Sequence, residues 1–245
     1  MGVKRELWWG LGAVALVVGV VVAAVFLAGI DLPGGAAADG DDAAAGVIGQ
    51  LGGPSSAVGV SGRHAYAVVG QRMLVLDVSD PSAPEAVGET DVLSAELQAL
   101  DVVGEVAYLA SGTVGVIIVD VSDPTAPRVA GTFDTGWFAN DVVVRDGLAY
   151  VADSAEGLRV IDVSDPAAAR EIGAGDTPGD ALGVAVDGDI AYIADWGTGV
   201  RLFDVSDPSR PTALGAIDTP GDAADIAAAG GRVFVADRGG GLRVI

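Results

Sequence analysis

The chain has 245 residues and a formal net charge of −21, with one histidine and no cysteine. Those counts exclude a disulfide framework, a thiolate nucleophile and Cys-ligated zinc, and leave a Ser-His-Asp triad or a multi-His metal site almost nothing to draw on. The acidity opposes nucleic acid, which is held by Lys/Arg patches that displace counterions, so no nucleic-acid partner is expected.

The amino terminus differs from the rest. Lys4, the only lysine, and Arg5 precede an uncharged run from Trp8 to Ile30. As a helix this run is roughly 34 Å long, enough to cross a hydrocarbon core of about 30 Å. Trp8 and Trp9 stand where an interfacial aromatic belt would. The predicted order is a basic cytoplasmic segment (1–7), a transmembrane signal-anchor helix (8–30), a flexible Gly/Ala/Asp linker (31–45) and a repeat domain (46–245). The basic pair is expected to stay in the cytoplasm, so the chain is single-pass in the cell membrane with its C-terminal domain outside. The alternative is secretion after cleavage near Ala38, because Ala36-Ala37-Ala38 resembles a small-residue cleavage site.

Beyond the linker the chain repeats. Tyr66, Tyr108, Tyr150, Tyr192 and Phe234 follow one another at a constant interval of 42. The string DVSDP begins at Asp77, Asp120, Asp162 and Asp204. A period of about 40–45 residues with several short strands per unit marks propeller blades. The expected fold is therefore all-β: a β-propeller of about five four-stranded blades, with repeats near 57–98, 99–140, 141–182, 183–224 and 225–245.

The third repeat is the clearest. Asp141–Arg145 is predicted as strand a, Asp146-Gly147 as a hairpin turn, Leu148–Ala152 as strand b, Leu158–Val163 as strand c and Arg170–Ala174 as strand d. Ser164-Asp165-Pro166 breaks the chain between c and d: proline offers no amide hydrogen, and the aspartate caps the turn. The fifth repeat stops in strand c, at Leu242–Ile245. Residues 46–51 match strand d of the fourth repeat and are expected to close the fifth blade, Val47–Leu51 forming the strand, which removes open sheet edges. The alternative is that the sequence is a piece of a longer propeller.

LRVIDVSDP (Leu158–Pro166), LVLDVSDP (Leu74–Pro81), IIVDVSDP (Ile117–Pro124) and RLFDVSDP (Arg201–Pro208) resemble the LVIVD repeat. The resemblance spans roughly residues 46–245. It implies a propeller in a secreted or surface-anchored protein and leaves the ligand open.

In a four-stranded blade the a–b and c–d turns share one face. Here they are nearly invariant between copies and are read as structural. His64 falls in or beside the first a–b hairpin and is read as solvated or packed. The b–c and d–a connections share the other face and vary more. Trp137, Phe138 and Trp196 are large apolar residues in polar, Gly-rich loops there, accompanied by Asp153, Asp195 and Asp237. Aromatic rings among polar groups are common in binding patches, so these six residues are the candidate contacts for an unknown protein or glycan partner. Asp141 and Asp225, at the start of strand a, are expected to face the central channel, with Asp180 and Asp222 near its mouth. Converging carboxylates repel one another, and calcium would relieve that repulsion. No cofactor is required, and calcium is the one the sequence suits.

The leading functional expectation is a non-catalytic binding or scaffold module outside the membrane. A structural surface-layer or adhesion segment is the second reading. A calcium-dependent propeller hydrolase is the third, with aspartate as its base for want of a placed histidine.

Overall fold

The structure, a computed structural model, describes residues 55–245. The basic terminus 1–7, the expected membrane helix 8–30, the linker 31–45 and the expected closing strand 46–51 lie outside the described residues. Among the described residues no helix is long and apolar enough to cross a membrane.

The described chain folds as five antiparallel blades. Blade one is β1 (Ala57–Ser61), β2 (His64–Val69), β3 (Arg72–Asp77) and β4 (Glu85–Glu89). Blade two is β5 (Ala99–Val103), β6 (Val106–Ala110), β7 (Val116–Asp120) and β8 (Arg128–Phe133). Blade three is β9 (Asp141–Arg145), β10 (Leu148–Ala152), β11 (Leu158–Asp162) and β12 (Arg170–Gly175). Blade four is β13 (Gly183–Asp187), β14 (Ile190–Ala194), β15 (Val200–Asp204) and β16 (Thr212–Ile217). Blade five is β17 (Asp222–Ala229), β18 (Arg232–Arg238) and β19 (Gly241–Val244), three strands among the described residues. The innermost strands neighbour one another in the order β1, β5, β9, β13, β17.

Alternation along each strand sends successive side chains into opposite seams. Tyr108 and Ile118 pack towards blade three, whereas Leu109 and Ile117 pack towards blade one. Four apolar clusters result, one each between blades one and two, two and three, three and four, and four and five. Strand c of the third repeat ends at Asp162, one residue before the predicted Val163. The reason is local: the Val163 amide donates to Gly147 O at 2.9 Å, leaving the ladder for the a–b hairpin.

The SDP turns are built as the residue chemistry predicts. Asp162 Oδ1 accepts the Ser164 amide and Asp165 Oδ1 accepts the Ala167 amide, and the pair recurs at Asp77/Asp80, Asp120/Asp123 and Asp204/Asp207. The turns at Pro124, Pro166 and Pro208 also lock the neighbouring blade. A Cβ on Gly88, Gly131 or Gly173 would lie 2.2, 1.9 or 2.2 Å from the carbonyl oxygen of Pro124, Pro166 or Pro208. Strand d must therefore carry glycine where the next blade's turn crosses it.

Candidate functional site

Backbone hydrogen bonds divide the molecule into the two expected faces. The residue after strand c donates to the a–b hairpin in blades one to four: Val78 to Arg63, Val121 to Glu105, Val163 to Gly147 and Val205 to Asp189. On the opposite face each b–c loop pairs with the chain entering the next blade, as Gly112 with Ala139, Ser154 with Ala181 and Trp196 with Ala223. His64 opens β2 opposite Ser61 and Asp77, on the hairpin face.

Asp153, Asp195 and Asp237 are not surface contacts. They are 0%, 0% and 2% exposed. Each accepts the amide of the loop leading into its own blade: Trp137 N–H for Asp153, Gly179 N–H at 3.1 Å for Asp195 and Gly221 N–H at 3.1 Å for Asp237. Thr135 Oγ1 also donates to Asp153 at 2.7 Å. An arginine six residues on accompanies each carboxylate: Arg201 lies 3.4 Å from Asp195 and Arg243 3.5 Å from Asp237. Burial raises the Asp153 carboxyl pKa, and the Thr135 bond and the Arg159 charge pull it back down. The sequence signal for this role was present: both residues recur at 42-residue spacing, as Asp153/Asp195/Asp237 and Arg159/Arg201/Arg243. The equivalents in the first two blades are Val69/Leu74 and Ser111/Ile117. An element repeated from blade to blade builds the blade, and these carboxylates fasten the loops rather than meet a partner.

The three aromatic residues separate. Phe138 is half-buried and lies against Gly112, whose added Cβ would stand 3.0 Å from the ring. Trp196 is half-buried under the Arg238 guanidinium, 4.9 Å from the ring centroid, and its backbone has φ +45°. A tryptophan in the left-handed region is strained, since only glycine and a few short polar residues visit it easily. Trp137 alone projects, with 56% exposure. Its amide is held by the buried Asp153 carboxylate, so the ring stands on a fixed base.

The four channel aspartates do not gather into a cage. Asp141 and Asp225 are near enough for Asp225 to raise the Asp141 pKa, after burial, to about 7. Yet Asp141 already accepts the Val142 amide at 2.8 Å and the Val184 amide of the next blade at 2.9 Å. Asp101 does the same with Val102 and with Val144 of the next blade. These carboxylates tie one inner strand to the next. Asp180 accepts the Ser154 hydroxyl at 3.3 Å, and Asp222 stands opposite Arg238 in the β17–β18 ladder. Among the described residues no three His, Cys, Asp or Glu side chains are placed to hold a metal ion. Each Asp141 oxygen thus accepts a backbone amide, and among the described residues Asp141, Asp180, Asp222 and Asp225, the aspartates expected to hold calcium, are not brought together as one set.

Comparison with known proteins agrees with the blade count. The chain resembles two solved structures, of the computationally designed Ika4 and Ika8 proteins. The first is 8% identical, with TM-score 0.53, over 62% of this chain and 92% of that one. The second is 9% identical, with TM-score 0.55, over 78% and 70%. At such identities the likeness concerns the fold alone. No curated protein matches the chain. The LVIVD repeat family model matches residues 52–92, 97–135, 138–177, 178–219 and 220–245, one match for each blade, and the chain therefore belongs to the LVIVD-repeat family.

Proposed function

We propose that this protein is a membrane-anchored, extracytoplasmic propeller that binds a partner without catalysing a reaction. The observation that carries the proposal is Trp137, a large apolar ring 56% exposed on a loop whose base is fixed by a buried carboxylate. An exposed ring costs solubility unless it is used, and a rigid aromatic anchor loses little conformational entropy on binding. Trp196 adds a second, half-buried ring to the same face, at the position where Gly112 and Ser154 make the same left-handed turn. The extracytoplasmic placement rests on Lys4, Arg5 and the apolar run Trp8–Ile30. The non-catalytic reading rests on the single histidine, which stands on the hairpin face.

The structural reading, a surface-layer or adhesion segment, gains from the burial of Asp153, Asp195 and Asp237, which leaves a smaller chemical surface on this face. One experiment separates the two. The full chain carrying Trp137→Ala and Trp196→Gly together is displayed in its own membrane and compared with the parent for capture of extracytoplasmic proteins and cell-wall glycans. Glycine suits the left-handed backbone at 196, so the double variant is expected to melt at an unchanged or higher temperature. Binding predicts that the captured species disappear while His64→Ala retains them. An identical capture profile for all three chains refutes it.

A further inference from the structure

We infer that the partner of the loop face is a protein segment presenting arginine, its guanidinium stacked on Trp137 and held by the carboxylates of the surrounding loops. The inference rests on the reading of Trp137 as a binding residue and names the chemistry that the ring is set to meet.

The repeat departs from itself at this position. The d–a connections of blades two, three and four read DTGWF (134–138), DTPGD (176–180) and DTPGD (218–222). Trp137 thus stands where Gly179 and Gly221 stand, and the three amides donate to the buried carboxylates Asp153, Asp195 and Asp237. At the two glycines no side chain fits. An added Cβ would lie 2.5 Å from Asp195 O at 179 and 1.9 Å from Arg238 O at 221. At 136 a glycine with φ +94° replaces the proline of the other two loops. Proline cannot take that conformation, so Gly136 redirects the chain and lets position 137 carry a side chain while its amide keeps the same bond. The side chain it carries is a tryptophan, 56% exposed.

Two observations choose the occupant. The first is charge. Asp134, Glu156, Asp176, Asp180 and Asp218 are exposed in the b–c and d–a connections of blades two to five, and those connections contain no lysine or arginine. Arg159, Arg201 and Arg243, in the strands behind them, are paired with Glu156, Asp195 and Asp237. Glu156 and Asp180 lie on the Trp137 side: Glu156 shares a loop with the Asp153 that holds the Trp137 amide, and Asp180 accepts the Ser154 hydroxyl of that loop at 3.3 Å. A cationic protein surface is steered to such carboxylates, and a neutral glycan is not.

The second is a pairing the face already contains. The Arg238 guanidinium lies over Trp196 at 4.9 Å, which covers that ring with a cation from the chain itself. Trp137 is the tryptophan left exposed among the described residues. Arginine suits it better than lysine, because a planar, weakly hydrated guanidinium stacks on an indole and still donates to a carboxylate at its edge.

The test titrates the full chain, in zwitterionic detergent micelles, into three dye-labelled probes and follows their anisotropy. The probes are an octapeptide of alternating glycine and arginine, its glycine–lysine counterpart, and chitotetraose as a neutral glycan. The arginine peptide is expected to bind most tightly. Trp137→Ala should weaken it about fivefold, and Trp137→Phe should keep part of the affinity. Gly179 and Gly221 show that this loop needs no side chain here, so Trp137→Ala is expected to melt as the parent does. Asp180→Asn should also weaken the arginine peptide, whereas Asp146→Asn, on the opposite face, should not. Equal affinity of the parent and Trp137→Ala for the arginine peptide overturns the inference, since attraction to an acidic chain then needs no ring. Preference for the lysine peptide overturns it too. Chitotetraose binding that is lost in Trp137→Ala, with no peptide binding, overturns the arginine partner and leaves a binding site at Trp137 standing, so the two readings fail separately.

Discussion

Asp195 is fully buried, yet it meets the Gly179 amide, the Thr198 hydroxyl and Arg201 at once. Truncating it strands all three donors, and breaking a buried ionic group of this kind costs about 3 kcal/mol. Asp195→Ala is therefore expected to lower the unfolding free energy by that amount, read from the denaturation midpoint, with the five-bladed fold otherwise intact; a loss below about 0.5 kcal/mol, the usual effect of a surface substitution, would show that the carboxylate fastens nothing. The aspartates also set the pH dependence, in two opposite limbs. Asp120 and Asp162 are held down to about 2, first by the hydroxyls of Ser122 and Ser164, and then by the Ser122 amide and Arg128 for Asp120 and by Arg170 and the Ser164 amide for Asp162. Their folded pKa lies below the unfolded 3.8, so the stability they contribute is present above about pH 4 and is lost as pH falls towards 2. Asp141 runs the other way. Its folded pKa of about 7 lies above the unfolded 3.8, so the stability tied to its proton is complete below about pH 4 and is lost as pH rises through 7. Asp141→Asn should flatten the melting-temperature curve between pH 5 and 8, whereas a slope equal to the parent's would place that titration elsewhere.

The SDP turn acts at the level of whole elements, because it ends strand c of one blade and also crosses strand d of the blade before. Gly131→Ala pushes a methyl group to within 1.9 Å of Pro166 O, across two blades. Overpacking of backbone against backbone has no flexible side chain to relieve it and typically costs 1–3 kcal/mol. The expected loss of about 3 kcal/mol is read as a shift in the urea midpoint, and an unchanged midpoint would mean that the two blades part easily at this seam. The turn itself was legible from residue chemistry, since aspartate followed two residues later by an amide donor is a local motif. Its grip on the neighbouring glycine was not, because nothing in the string shows that position 131 lies under position 166. Asp153 teaches the converse. Its recurrence at 195 and 237 was as regular as that of DVSDP, but its setting in loops of unequal sequence made it look like part of a variable surface. Burial, which a repeat interval alone does not reveal, decides between the two.

Across the whole molecule, constant spacing made the blades legible from the positions of Tyr66 to Phe234, and strand edges such as Asp141–Arg145 and Leu148–Ala152 fall where alternation and turn residues put them. Side-chain destinations were harder to read, because they depend on how the blades rotate against one another. Phe138 and Trp196 looked equivalent to Trp137 in the string, yet one covers Gly112, one lies under Arg238, and Trp137 alone faces water. The loops of this face are stitched from blade to blade at Gly112–Ala139, Ser154–Ala181 and Trp196–Ala223, so the face presents Trp137 on a rigid frame. A photo-cross-linking amino acid placed at 137 in the full chain, in its own membrane, tests this directly against the same probe at Asp146 in a hairpin of the opposite face. Binding through the loop face predicts discrete adducts from position 137 and none from 146. Equal adducts from both positions, or none from either, would contradict a binding site at Trp137.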